Sequence, residues 1–95
     1  MKLRYTLQAL ADLDAILEHI DDKSPQGAVR VKRRVEAIID LILLHPLVGA
    51  TTDDPSIRRM ITRPYPYLVF YEANKNELII HAIRHAARDP SSMPG

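Results

Sequence analysis

The stretch PYLVFYEANKNELIIHAIRH, residues 66–85, decides the fold. Tyr67–Tyr71 is dense in aromatic and β-branched side chains, the composition of a strand. Leu78–His85, with Ile79, Ile80 and Ile83, reads as the last strand. Between them, Ala73-Asn74-Lys75-Asn76-Glu77 reads as a hairpin turn, because Asn tolerates the backbone angles of a tight reversal. Strict alternation would put Tyr67, Val69 and Tyr71 on one face, with Leu68 and Phe70 on the other. In the second strand it would set Leu78, Ile80 and Ala82 against Ile79 and Ile83. Both faces of the predicted hairpin are substantially apolar.

Working outward, Arg63-Pro64-Tyr65-Pro66 is a connection, since two prolines cannot donate to a ladder. Ile57–Thr62 reads as one more strand. Residues 46–56, with Pro46, Gly49 and Pro55, read as a loop. Ahead of the loop, Ala28, Val31, Val35, Ile38 and Ile42 recur at helical spacing, with Arg30, Arg33 and Arg34 on another face. Ser24 caps that helix and Pro25 occupies its first position, where no N–H is needed; His45-Pro46 stops it. An earlier helix follows the cap Thr6 and carries Leu10, Leu13, Ile16, Leu17 and Ile20, with Asp12, Asp14 and Glu18 toward water. The few residues joining the helices predict an antiparallel αα-hairpin. Lys2-Leu3-Arg4-Tyr5 suits an edge strand.

The order β-α-α-β-β-β predicts an α+β fold, an αα-hairpin packed on one face of a small antiparallel sheet. At 95 residues the chain is one domain, 1–95, with residues 86–95 expected to form a loosely held tail. Two helices cover only one sheet face, and the second helix turns apolar all round at Leu41–Leu44. Such a surplus points to a binding partner. The alternative is that the 46–56 loop and the tail fold back over the second face.

Composition excludes several chemistries. Cysteine is absent, which removes disulfides, thiolate metal sites and cysteine nucleophiles. Apolar runs such as Leu41–Leu44 fall far short of a membrane span, and Asp12, Asp14 and Glu18 interrupt any signal-type apolar region, so a cytoplasmic protein is expected. Residues 1–54 hold seven Lys/Arg against nine Asp/Glu, and residues 55–95 six against three. The C-terminal half is mildly basic, well below the density of a dedicated DNA-binding protein, so no direct sequence-specific DNA binding is expected. His81 and His85 would stand about 13 Å apart on a strand, too far for one ion, and no third ligand matches; no metal and no cofactor are expected. Ser24, Ser56, Ser91 and Ser92 stand in no nucleophile motif, and the three glycines form no phosphate loop.

The remaining cluster is Arg58, Arg59, Arg63, Arg84, His85 and Arg88. If the strands carrying Arg59 and Arg84 are neighbours, several cations gather at one sheet end and could hold a phosphate, with a histidine able to move a proton. The plainer reading is that these arginines protect a sheet edge against aggregation.

Taken in order, these pieces resemble the ParE/RelE toxin superfamily. Tyr5 with Ala9, Asp12-Leu13 and Ile16 resembles its opening; Ser24-Pro25 with Ala28, then Pro46 and Gly49, continue it. Pro66–Tyr71 looks like its central strand, and Ile80–Pro90 looks like the ParE branch in particular. The resemblance implies the toxin of a type II toxin–antitoxin pair, of the kind linked to plasmid stabilisation. It implies neutralisation by a ParD-like antitoxin in a hetero-oligomer, a heterotetramer by expectation. It also implies a non-enzymatic poison of DNA gyrase. Expected antitoxin contacts are Leu41, Leu44, Tyr67, Val69 and Tyr71; expected target contacts are Arg84, His85 and Arg88. The alternatives are a RelE-like ribosome-dependent, metal-independent mRNA endonuclease, in which Arg59, Arg84 and His85 would be catalytic, or a non-toxic interaction module.

Overall fold

A computed structural model describes residues 1–88. The elements are β1 (Lys2–Tyr5), α1 (Leu7–Asp21), α2 (Pro25–Leu44), β2 (Ala50–Thr51), β3 (Arg58–Ile61), β4 (Tyr67–Ala73), β5 (Glu77–His85) and a 3-10 turn at Ala86–Arg88. The strands form a single five-stranded sheet in the order β1-β5-β4-β3-β2. No helix among the described residues is long and apolar enough to cross a membrane.

Local chemistry explains the helix ends. The Thr6 hydroxyl oxygen accepts from the Ala9 N–H at 3.1 Å while its O–H donates to the His81 carbonyl, so the cap also fastens α1 to β5. Ser24 accepts from Gly27 N–H at 3.0 Å, and Pro25 opens α2. Tyr5 lies under α2, where burial, then Glu36 and Asp40, push its phenol pKa up.

The core forms between helices and sheet. Val31, Val35, Ile38, Ile39 and Ile42 of α2 and Ala9 of α1 pack with Val69, Tyr71, Leu78, Ile80 and Ile83. From α1, Leu13, Ile16, Leu17 and Ile20 complete it. Leu10, expected in that stripe, is instead 45% exposed.

The sheet departs from expectation in four ways. It is mixed, because β1 runs parallel to β5, with Lys2 opposite Glu77 and Tyr5 opposite Ile80. The count of reversals requires this: α1 and α2 turn the chain back twice, and β2, β3, β4 and β5 then alternate, leaving β5 pointing as β1 does. The expected loop 46–56 contains the short strand β2. The alternation of β5 is broken by a bulge: Phe70 pairs with Ala82 but Tyr71 with Ile80, so His81 is the extra residue. Ile83 therefore joins Val69 on the helix face and Ala82 moves to the outer face, the reverse of strict alternation. Finally, the turn Ala86–Arg88 is tied down, its Ala86 N–H donating to the Pro66 carbonyl at 2.7 Å. The rest of the expected tail, residues 89–95, lies outside the described residues.

Asp12 also has a different place from the one expected. β1 covers β5 only as far as Ile80. Beyond it, the Asp12 carboxylate accepts the Ile83 N–H at 3.0 Å and is itself steadied by Gln8 at 2.7 Å. An α1 side chain thus closes the β5 edge where the neighbouring strand ends.

Candidate functional surfaces

Register decides which nominated side chains meet. β3 and β5 are not neighbours, since β4 separates them. Arg59 stands opposite Phe70, and Arg84 opposite Leu68, so both belong to the outer face of the sheet. The Arg84 guanidinium carbon sits 6.0 Å from the Phe70 ring centre. His85 pairs with Tyr67 on the helix face, their rings edge to face at 5.6 Å. Its Nδ1 accepts from the Ala87 N–H at 3.1 Å, and it lines a cleft with Ala15, Ile16 and His19. The set Arg59, Arg84 and His85 is therefore split between the two faces. Arg88 closes the 3-10 turn after β5.

Arg58 is structural. Its guanidinium donates to the carbonyls of Gly49 at 2.8 Å and Leu47 at 3.3 Å. The same turn is gripped by Tyr71, whose hydroxyl donates to the Pro46 carbonyl and accepts from the Gly49 N–H, both at 2.9 Å. Burial pushes the Tyr71 phenol pKa up, partly offset by the Gly49 N–H and by Arg58. A side chain at Gly49 would come within 2.6 Å of the Tyr71 Oη and 2.8 Å of the Arg59 carbonyl, so only glycine fits. Braced in this way, the turn leaves Leu47 74% exposed.

The expected antitoxin contacts divide. Leu44 is 75% exposed, and Leu41 and Tyr67 are half-buried. Val69 and Tyr71 are fully buried beneath the helices and are core residues, not surface contacts. The outer face is less open than its composition suggests: Leu68, Ile79 and Ala82 are buried. The segment after β2 folds beside it, bringing Asp54, Ser56 and Ile57 to a cleft of about 500 Å³ with Phe70, Glu72, His81 and Arg84. Thr52 and Asp54 shape this segment: Thr52 O–H reaches the Asp54 and Ile57 carbonyls, and Asp54 accepts from the Ser56 hydroxyl at 2.7 Å and N–H at 2.9 Å. The Ser56 bonds hold the Asp54 carboxyl below the usual range, with a smaller contribution from His81.

That cleft holds a pair that sequence reasoning missed. His81 Nε2 lies 2.9 Å from Glu72 Oε1, both side chains about one-third exposed. The bulge aims His81 at Glu72, and Arg84 lines the same cleft. Strict alternation conceals this, because the pairing exists only once the register slips by one residue.

A helical hairpin packed on one face of a five-stranded mixed sheet is the fold of the small toxins of the ParE and YafQ kind. The chain belongs to the ParE toxin family of the type II toxin–antitoxin system parDE, whose model matches residues 3–90. It is similar to toxin RelE2 of Caulobacter vibrioides, 34% identical over 88% of this chain and 93% of that one. It is also similar to Y4kP of Sinorhizobium fredii, described as a toxin, 29% identical over 90% of this chain and 88% of the other. Its fold matches a chain of the chromosomal ParDE system from P. aeruginosa at a TM-score of 0.76 and 24% identity, covering 90% of this chain and 95% of that one.

Proposed function

We propose that this toxin inhibits DNA gyrase in the cytoplasm, and so replication, and that a ParD-like antitoxin neutralises it in a hetero-oligomer. The observation that carries the target is the separation of Arg59 and Arg84 from His85 by the sheet itself. A nuclease built on those three would need its cations and its proton-transfer group around one phosphate. What remains is an arginine-bearing surface suited to docking, in a family described as ParE. The experiment is paired: supercoiling of relaxed plasmid by gyrase with the purified toxin, and mapping of mRNA ends in a translation extract. Loss of supercoiling, relieved by the antitoxin, with intact mRNA is the expected outcome. Codon-positioned cleavage with unimpaired gyrase overturns it.

A second reading rests on the Glu72–His81 pair beside Arg84. There, His81 oriented by Glu72 would take a proton from a ribose 2′-hydroxyl, Arg84 would stabilise the phosphate charge, and Phe70 would receive a base. In this reading Glu72→Gln and His81→Ala abolish mRNA cleavage, while His85→Ala leaves it.

A further inference from the structure

The two edges of the sheet are finished differently. β2, at one end, is only two residues long, and a very short strand is one way a sheet edge is closed to further pairing. β1, at the other end, has four residues, no proline and an unbroken register with β5. The Lys2 N–H donates to the Asn76 carbonyl at 2.9 Å and the Thr6 N–H to the Ile80 carbonyl at 3.0 Å. Alternate residues of a strand address alternate sides, so the N–H and C=O groups of Leu3 and Tyr5 face away from β5, where β1 has no neighbouring strand. Charge guards this edge weakly. The Arg4 guanidinium is turned back onto its own sheet, donating to the Glu77 carboxylate at 3.2 and 3.3 Å, which leaves Lys2 as the other cation of the strand. Three apolar side chains are exposed here: Met1 at 56%, Leu3 at 40% and, in the first turn of α1, Leu7 at 86%.

We infer that β1 pairs antiparallel with β1 of a second copy of this chain, about a two-fold axis at Arg4, joining two five-stranded sheets into one of ten strands. In that register the strand is complementary to itself. Leu3 and Tyr5, whose backbone groups face the open edge, come opposite Tyr5 and Leu3 of the second copy and exchange both hydrogen bonds with them. Further from the axis, Met1 comes opposite Leu7 of the second copy, so the two most exposed apolar side chains at this edge cover each other. An unrelated extended peptide meets the same backbone groups, but nothing requires it to place an apolar residue against Leu7. Each copy also brings like charge to the axis: Lys2 on the outer side and, on the helix side, Glu36 and Asp40, which act on Tyr5. Screening therefore tightens the pair as salt rises, the opposite of a contact built on opposite charges. The contact is small, so the dimer is weak and concentration-dependent. It is independent of the gyrase reading.

Sedimentation velocity of the full-length toxin over a wide range of concentration tests this. A monomer–dimer equilibrium that tightens with salt is expected. Leu3→Pro removes an N–H that faces the open edge and keeps the N–H groups that β1 gives to β5. It takes one bond from each copy and weakens the dimer by about tenfold or more. Leu7→Asp weakens it by a similar factor, while an acid in the first turn suits α1. Melts of both variants, taken where the toxin is monomeric, stay close to wild type. Cross-linking reads the register independently, since the chain has no cysteine. Residues directly opposite at a position without hydrogen bonds have Cα atoms about 4.5 Å apart, within disulfide range. Arg4→Cys is therefore expected to form a covalent dimer under mild oxidation, and Lys2→Cys, displaced from the axis, is not. A toxin that is monomeric at every concentration overturns the inference. So does a dimer that Leu3→Pro leaves intact, one that Lys2→Cys cross-links as fast as Arg4→Cys, or one that forms only when the antitoxin is present.

Discussion

Replacing Tyr71 by phenylalanine removes a single oxygen atom and leaves two backbone groups without their partner. The Gly49 N–H, which donates to that oxygen at 2.9 Å, belongs to a buried residue. The Pro46 carbonyl, which accepts from it at 2.9 Å, belongs to a half-exposed residue and can turn to water. An unsatisfied buried donor costs about 1–3 kcal/mol, and the lost bond to the carbonyl adds a smaller amount, so about 2–3 kcal/mol is expected in total. For a domain of this size that lowers Tm by about 10–20 °C. Thermal and urea denaturation measure the loss, and hydrogen exchange locates it: the Gly49 amide, protected in the wild type, exchanges freely in Tyr71→Phe while core β4 and β5 amides keep their order of protection. The wild type carries a further signature. The folded state raises the Tyr71 pKa, so the unfolded chain ionises first; stability is complete below about pH 10 and falls as pH rises through the folded value. Tyr71→Phe flattens that alkaline loss in part, since Tyr5 is raised as well. A variant within about 0.5 kcal/mol of wild type, with the Gly49 amide still protected, would refute the brace.

Gly49→Ala is expected to destabilise even in the Tyr71→Phe background, because the Arg59 carbonyl at 2.8 Å remains in the way; a melt of the double variant checks this. Asp12→Ala strips the Ile83 N–H of its acceptor and costs about 1–2 kcal/mol, read by urea denaturation, whereas Asp12→Asn keeps an acceptor and costs less. Truncation after Arg88 preserves the melt and the antitoxin complex but abolishes growth arrest; full arrest by the truncated chain would place the target-contacting surface elsewhere. Arg84→Ala lowers gyrase inhibition and leaves stability nearly unchanged, as judged by supercoiling titrations alongside melts.

The parts legible in the sequence were those set by local rules. Ser24-Pro25 and the Ala28–Ile42 spacing place α2, and Asn74 forms the turn of the last hairpin, where its side chain accepts from the Asn76 and Glu77 N–H groups at 2.9 Å. The illegible parts depend on long-range register. Nothing near Lys2–Tyr5 says that it pairs with residues 77–80, and nothing near Asp12 says that its carboxylate meets the Ile83 amide. The bulge at His81 moves Ile83 to the core and creates the Glu72 contact, and no period-two reading contains it. Tyr71 shows the same limit: its aromatic character marks a strand, but the role of its hydroxyl depends on a turn 22 residues earlier.

The pairing of β1 with β5 joins the opening of the chain to its last strand, Lys2 to Glu77, across a separation of 75 residues. During synthesis, at about 5–20 residues per second, β1 and α1 wait until residues 77–85 have been added before their partner strand exists. β5 is also an interior strand, so any product terminated before residue 77 leaves β1 without its neighbour and α1 without the strand it packs on. Such a product would keep β2, β3 and β4 to pair with one another but would have nothing to join them to β1. The five-stranded sheet is therefore completed in one late step, when β5 pairs with β1 on one side and β4 on the other.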